Sequence, residues 1–259
     1  MPEMIEVEYY RRLADQVVGR RIQGVEAPDA WYLKGGLDAD AVTAAMVGRR
    51  VVGTRRIGKL LLLDTDGPTL GLRFGMTGRL LVDGHAVIER LEYGSDRSEP
   101  VWDRFVLRFP RGGDLRMRDP RRLGAVELAP DESRLGPDAA AITRAQLAAV
   151  LAGSEAPLKA RLMDQARVAG LGNLLTDEIL WRAGLDPARS AGSLDGRATG
   201  RLHRTIGAVL AELTAGGGSH TGRLQAARAP GARCPKDGAA LQRRTVGGRT
   251  TYSCPRHQA

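Results

Sequence analysis

The sequence predicts an α+β protein with a helix-led β domain, a helical domain and a small C-terminal hairpin. Short apolar runs that end at Gly, Pro or Asp fill residues 59–84, a pattern typical of strands. After Pro137 the apolar residues take the spacing of helices. The only two cysteines, Cys234 and Cys254, lie near the C-terminus. We therefore expect three domains, over residues 1–130, 131–218 and 219–259.

The first domain begins with a predicted helix over residues 5–17, which has Val7, Leu13 and Val17 among its apolar positions. The stretches "KLLLLDTD" (59–66), "TLGLRF" (69–74) and "GRLLVDG" (78–84) then predict strands. The stretch "DRFVLRFPRGGDLRMRDP" alternates apolar and polar residues on both sides of a Gly-Gly pair. This alternation predicts a β-hairpin.

The second domain is predicted to be helical. "ITRAQLAAVLAG" has helical spacing, and "GLGNLLTDEILWRAGLDP" predicts a further helix with its N-cap at Asn173 and its end at Gly184. A longer helix follows and ends at the glycines of residues 216–218. The polar, basic stretch 219–233 is predicted to be a linker.

The charge balance favours a polyanionic partner. The chain has 259 residues, a formal net charge of +9 and a pI of about 10.2, and arginine supplies most of the positive charge. Nucleic acid is the first candidate partner, although an arginine-rich proteome would produce the same composition. No apolar run is long enough to span a membrane, and the acidic start does not resemble a signal peptide. We therefore expect a cytoplasmic protein.

The C-terminal stretch has the spacing of a zinc ribbon. Two residues separate Cys234 from Asp237, two separate Cys254 from His257, and a predicted hairpin lies between the pairs. The spacing favours one Zn²⁺ held by these four side chains, with His220 as a reserve fourth ligand. The alternative is a metal-free hairpin with a Cys234–Cys254 disulfide.

Six stretches resemble the formamidopyrimidine-DNA glycosylase / endonuclease VIII family, in order and over essentially the whole chain. They are "PEMIEVE" (2–8), "RRIGKLLLL" (55–63), "FGMTGRL" (74–80), "DPRRLGAVEL" (119–128), "LMDQARVAGLGNLLTDEIL" (162–180) and "GGRTTYSCP" (247–255). The resemblance implies an N-terminal β-sandwich with a leading helix, a helix–two-turn–helix domain and a C-terminal zinc finger. It also implies repair of oxidised bases in duplex DNA, with removal of the base and cleavage of the backbone.

The resemblance gives the N-terminus a chemical role. Removal of Met1 would expose the secondary amine of Pro2, and an α-amino group with a pKa of about 7.7–8.0 is partly neutral at physiological pH. By resemblance Pro2 attacks the sugar, Glu3 protonates the ring oxygen, and Glu6 positions the sugar or handles protons. Without the resemblance, Pro-Glu would simply open a helix.

The resemblance also assigns the contacts with DNA. Three residues are expected to hold phosphates around the damaged nucleotide: Lys59, Asn173 and Arg249. Lys59 is also expected to belong to the catalytic group with Pro2, Glu3 and Glu6. The alternatives are a strand-edge lysine, a purely structural helix cap and a solvated arginine. Three more are expected to fill the gap left by a flipped base: Met76, Arg121 and Leu123. Ordinary core packing is the alternative for Met76 and Leu123. The resemblance implies no organic cofactor and a monomer.

Two departures from the family pattern bear on function. Leu123 stands where members acting on oxidised guanine usually have phenylalanine, and the segment between Gly218 and Cys234 is short. Oxidised pyrimidines, ring-opened purines, hydantoins and abasic sites are therefore candidate substrates. A damage-binding protein that has lost base excision is the alternative function. A zinc-ribbon RNA-binding protein is a third hypothesis, which the N-terminal residues disfavour.

Overall fold

The computed structural model describes residues 2–88, 91 and 97–259; Met1, whose removal we predict, lies outside them. The chain forms two compact units, Met1–Glu132 and Ser133–Ala259. The finer division of the second unit at residues 218 and 219 stays a prediction.

The first unit contains two antiparallel four-stranded sheets, with strand orders β1-β6-β7-β5 and β2-β3-β4-β8. Its elements are α1 (Met4–Ala14), β1 (Gly24–Glu26), α2 (Ala39–Met46), β2 (Val51–Ile57), β3 (Leu60–Thr65), β4 (Leu70–Arg73), β5 (Arg79–Val82), β6 (Asp103–Arg108), β7 (Asp114–Arg118) and β8 (Ala125–Leu128). The leading helix, the strands after residue 59 and the β6–β7 hairpin were all predicted from the sequence.

One hydrophobic core joins the two sheets and α1. Leu61 and Leu63 of β3 share a face because side chains alternate along a strand, and both are fully buried in this core. Phe105 and Leu107 of β6 reach it from the other sheet, and Tyr10 reaches it from α1. Burying one such side chain contributes about 1.5–3 kcal/mol. The core therefore fixes α1 against the sheets that carry the loops described below.

The second unit is helical except for one hairpin. It contains α3 (Arg144–Leu151), α4 (Leu158–Met163), α5 (Asn173–Ala183), α6 (Gly196–Ala215), β9 (Gln242–Val246) and β10 (Arg249–Ser253). Gly184 ends α5 with a φ of 66°, as its sequence predicts. Gly247 and Gly248 have φ values of 57° and 72°, which the turn between β9 and β10 requires. The described ranges contain no helix both long and apolar enough to cross a bilayer.

Candidate active site

The start of α1 places two carboxyl groups beside Pro2. Glu3 is the N-cap of α1, and its backbone N–H donates to Glu6 Oε2 at 2.8 Å. The Glu3 carboxylate accepts the backbone N–H of Glu6 in return, which makes a capping box. Glu3 is 0% exposed, and Pro2 and Glu6 are also buried. The three residues that sequence reasoning selected here lie together.

Lys59 lies in the tight turn between β2 and β3, just before the strand that was predicted to begin with it. Arg56 attaches this turn to α1. Its guanidinium donates to the Gly58 carbonyl at 2.9 Å and pairs with Glu8 of α1 at 3.3 Å. Half-buried Lys59 is therefore held on a turn that is tied to the helix carrying Glu3.

Tyr10 connects α1 to the loop that carries Met76, which we call the Met76 loop (residues 74–78). Its phenol donates to the Gly78 carbonyl at 3.2 Å, and its ring centroid lies 4.5 Å from that of Phe74. Tyr10 is fully buried, so this link belongs to the core of the first unit. The half-buried Met76 is thereby held in the same unit as Glu3.

The Met76 loop packs against a second loop, the Leu123 loop (residues 119–124). Gly75 has a φ of 55°, and a Cβ there would lie 2.4 Å from the Leu123 carbonyl carbon, so only glycine fits. The structure thus brings Met76, Arg121 and Leu123 onto two adjoining loops. Arg121 is exposed and Leu123 is 49% exposed, so core packing does not describe Leu123.

In the second unit, Asn173 contacts the strand that begins at Arg249. The prediction that Asn173 is the N-cap of α5 was wrong by one residue: the N-cap is Gly172. Gly172 has the extended backbone of an N-cap, with φ −121° and ψ −163°, so Asn173 is already the first helical residue. The Asn173 side chain donates from Nδ2 to the Thr250 carbonyl at 3.2 Å, and its buried Oδ1 has no hydrogen-bond partner among the described residues. Arg249, which is exposed, immediately precedes Thr250 in the chain. The structure therefore brings Asn173 and Arg249 together.

A buried ion pair that sequence reasoning missed holds this hairpin to the helices. Lys159 is 0% exposed, and its Nζ lies 2.7 Å from both Asp177 Oδ1 and Thr251 Oγ1. Arg228 pairs with the other oxygen of Asp177. Burial raises the pKa of Asp177, and the two cations oppose that shift. The sequence held no clear signal for this pair, because α4 carries Arg161 as well as Lys159 between Leu158 and Leu162.

Cys234, Asp237, Cys254 and His257 form a compact group whose ligand atoms all lie within 4.8 Å of one another. His257 Nδ1 lies 2.9 Å from Asp237 Oδ2 and 3.8 Å from Cys234 Sγ. Both cysteines are free thiols, so the disulfide alternative does not describe this structure. His220 is exposed and stands outside the group, so the reserve role does not apply to it.

The surroundings of this group prepare its atoms to bind a metal ion. His257 Nε2 lies 3.2 Å from the Trp181 carbonyl, which places the proton on Nε2 and leaves Nδ1 facing the group. The backbone N–H of Ala239 holds the pKa of Asp237 well below its usual range. Two thiols, an imidazole and an ionised carboxylate fit Zn²⁺ in donor type and number.

Two sequence profiles match the chain. The formamidopyrimidine-DNA glycosylase N-terminal domain matches residues 1–126, and the formamidopyrimidine-DNA glycosylase H2TH domain matches residues 135–223. The chain belongs to the formamidopyrimidine-DNA glycosylase family. The family and the fold class predicted from the sequence are therefore confirmed.

Full-length formamidopyrimidine-DNA glycosylases resemble the chain throughout. The protein of Paracoccus denitrificans is 37% identical over 98% of this chain and 99% of its own length. The protein of Roseiflexus is 33% identical over the whole of both chains. Their alignment spans 282 positions and this chain has 259 residues, so the Roseiflexus protein has residues with no counterpart here. The Lactococcus lactis protein in complex with abasic-site DNA has a TM-score of 0.83 and 26% identity, with 99% of each chain covered.

The Lys159–Asp177 pair gives a stability prediction. Lys159→Met is expected to lower the free energy of unfolding by about 3–5 kcal/mol, because it leaves Asp177 buried with one cation fewer. Urea unfolding followed by tryptophan fluorescence measures this. The control is Glu212→Gln, which removes an exposed partner of Arg182 and should change stability by less than about 1 kcal/mol. Equal effects of the two changes would contradict the prediction.

Proposed function

We propose that this chain is a bifunctional DNA glycosylase and abasic-site lyase of base excision repair. The observation that carries the proposal is the buried Pro2-Glu3 start of α1, with Glu6 hydrogen-bonded to Glu3, in a chain of this family. This arrangement puts a potential amine nucleophile next to a carboxyl group that is shielded from water. The expected substrate is damaged duplex DNA, which agrees with the +9 charge.

In the proposed first step, the neutral amine of Pro2 attacks C1′ of the damaged nucleotide. The bond from C1′ to the base breaks, and the base leaves with the electron pair and takes up the proton that the Pro2 nitrogen loses. The bond from C1′ to the ring oxygen then opens, and Glu3 gives that oxygen its proton. The secondary amine and C1′ are left joined as a cationic iminium.

In the second step, the iminium draws electrons from the sugar. A proton leaves C2′, and the C3′–O bond breaks, so that the 3′ phosphate departs with the electron pair. Water then hydrolyses the iminium and frees Pro2. We assign Glu6 the task of holding the Glu3 backbone, and with it the reacting groups, during these steps. Gel mobility of the products distinguishes this β-elimination from β,δ-elimination.

We assign the remaining residues to the grip on DNA. Lys59, Asn173 and Arg249 would contact phosphates around the damaged nucleotide. Met76, Arg121 and Leu123 would fill the gap in the base stack. The exposure of Arg121 and Leu123 on one loop supports this assignment, as does the contact of Asn173 with the residue next to Arg249.

The segment 222–228 bears on lesion choice, because the structure holds it against α5. Buried Glu178 accepts the backbone N–H groups of Arg223 at 3.1 Å and Leu224 at 2.8 Å, and Asp177 pairs with Arg228. A segment held at both ends has little freedom to close over a base. We therefore expect broad activity on oxidised pyrimidines, ring-opened purines, hydantoins and abasic sites, without a dedicated 8-oxoguanine pocket.

We assign Cys234, Asp237, Cys254 and His257 to one structural Zn²⁺ ion. The ion would supply positive charge that fixes the thiolates and the hairpin carrying Arg249. We propose further that the protein acts as a monomer without an organic cofactor, on the chromosomal DNA of a bacterial cytoplasm.

Zinc content gives a direct test of this assignment. The purified chain is expected to hold one Zn²⁺, and Asp237→Ala should weaken zinc affinity by about 100-fold or more, because it removes a direct ligand. Competition with a chromophoric chelator measures the affinity. His220→Ala, outside the group, is the matched control and should retain wild-type affinity. A lower zinc affinity in His220→Ala, with wild-type affinity in Asp237→Ala, would contradict the assignment.

Borohydride trapping tests the function. The processed protein is mixed with a duplex that contains one abasic site, and borohydride reduces any iminium to a stable amine. A covalent protein–DNA adduct, with strand cleavage in the absence of borohydride, is the expected result. Tight binding to the same duplex without an adduct would contradict the enzyme and support the damage-binding alternative.

A further inference from the structure

We propose that Asp119 is a positioning residue that joins the Met76 loop and the Leu123 loop into one wedge, so that Met76 and Leu123 enter the base stack as a unit. The proposal rests on the proposed function, because a wedge has work to do only when a nucleotide leaves the duplex. No part of the chemistry at Pro2 passes through Asp119.

The Asp119 carboxylate contacts both loops at once. It is 0% exposed. Its Oδ1 accepts the Thr77 hydroxyl of the Met76 loop at 2.6 Å and the Arg121 N–H at 3.2 Å. Its Oδ2 accepts the N–H groups of Leu123 at 2.9 Å and Gly124 at 2.8 Å. One side chain therefore fixes the residue after Met76 and the backbone of both Arg121 and Leu123.

The donor pattern requires a carboxylate. Each of these four contacts brings an N–H or O–H group to Asp119, and an ionised carboxylate only accepts hydrogen bonds. An asparagine of nearly the same shape would present an NH₂ group to one pair of donors. The change Asp119→Asn therefore keeps the volume of the side chain but breaks its hold on one side.

Arg122 anchors the middle of the Leu123 loop from the other side. Its φ is 57°, so the backbone reverses there, and its guanidinium bonds both oxygens of Asp29 at 2.6 Å. This guanidinium also holds the pKa of Asp29 below its usual range. Arg122 is therefore tied to Asp29 although half of its side chain is exposed, while Arg121 and Leu123 on either side are exposed as well.

The requirement for the wedge differs between two forms of the same substrate. A nucleotide extruded from a duplex leaves a gap that must be filled, and the surrounding stack must be opened. A single strand with an abasic site has no partner strand and no such gap. Loosening the wedge should therefore slow the reaction on the duplex and leave the rate on the single strand unchanged.

Two variants separate this role from a general loss of structure. Asp119→Asn replaces one accepting oxygen of the side chain by a donating NH₂ group. Thr77→Val removes only the hydroxyl that ties the Met76 loop to Asp119. Asp40→Asn, an exposed site on α2, makes the same chemical change as a control. Single-turnover trapping rates are measured on abasic-site DNA in duplex and single-stranded form. 2-Aminopurine beside the site reports unstacking on binding.

We expect both variants to lower the duplex rate roughly ten- to hundredfold, since small misplacement of a positioned group has effects of this size. The single-strand rate should stay within about twofold, and the 2-aminopurine signal should fall. An equal loss on both substrates, or no loss on either, would overturn the proposal. Absence of an adduct with wild-type protein on both substrates would refute the proposed function instead, while the 2-aminopurine signal still tests the wedge.

Discussion

Replacement of Pro2 by glycine is expected to lower strand cleavage at an abasic site by about a thousandfold or more and to remove the borohydride-trapped adduct. Glycine at this position still ends in an amine, so the first cause of the loss is the kind of amine. A secondary amine gives an iminium that carries its positive charge permanently. A primary amine gives an imine that is neutral unless protonated and therefore withdraws electrons less well.

The ring of Pro2 contributes a second effect. It fixes the torsion about the N–Cα bond, and with it the direction of the nitrogen lone pair, whereas the terminal amine of glycine rotates freely. Because the next residue, Glu3, is held by the capping box, the lone pair of Pro2 has fewer orientations relative to that carboxyl group. Glycine would lose this placement, and the loss adds to the electronic effect.

Trapping and gel analysis of Pro2→Gly measure both effects. Met4→Leu is the matched control: it replaces the buried residue after Glu3 by an apolar residue of similar volume, and it should keep activity. The variants should bind abasic-site DNA with similar affinity, because neither loses a charge. An adduct of wild-type yield in Pro2→Gly would show that another group is the nucleophile.

The features that the sequence predicted well depend on local rules. Leu61 and Leu63 belong to a short, continuous apolar run ended by Asp64, and the Gly247-Gly248 pair has the positive φ values that its hairpin requires. The metal-binding group was predicted because each half supplies its two ligands across a short, fixed spacing. Each of these patterns can be recognised without knowing which residues far away in the sequence contact it.

The features that were missed depend on partners far apart in the chain. Lys159 bonds Thr251 across 92 positions, and Asp119 bonds Thr77 across 42. The N-cap rule chose Asn173 from its neighbours alone, but the helix begins one residue earlier, and Asn173 Nδ2 donates to a hairpin carbonyl 77 positions away. A rule that uses only neighbours in the sequence cannot take such a contact into account.

Glu3→Gln tests the carboxyl group and is expected to separate the two activities. Removal of an intact damaged base should fall by about 10²–10⁴-fold, because glutamine has no proton to give to the ring oxygen. Cleavage at an existing abasic site should fall much less. There the base is already gone, and part of the sugar is open as an aldehyde that Pro2 attacks directly.

We expect the fold to survive this change, so that the rates of base removal and abasic-site cleavage report on the carboxyl group itself. Glutamine retains an oxygen that accepts the Glu6 N–H, so the hydrogen bond that caps the first turn of α1 is kept. Glu26→Gln, an exposed carboxylate on β1, is the control for the chemical change and should leave both rates unaltered. Single-turnover rates on a damaged-base duplex and on an abasic duplex give the ratio. An equal loss of both activities would contradict a role of Glu3 in base removal alone. It would indicate that the buried Glu3 only stabilises the start of α1.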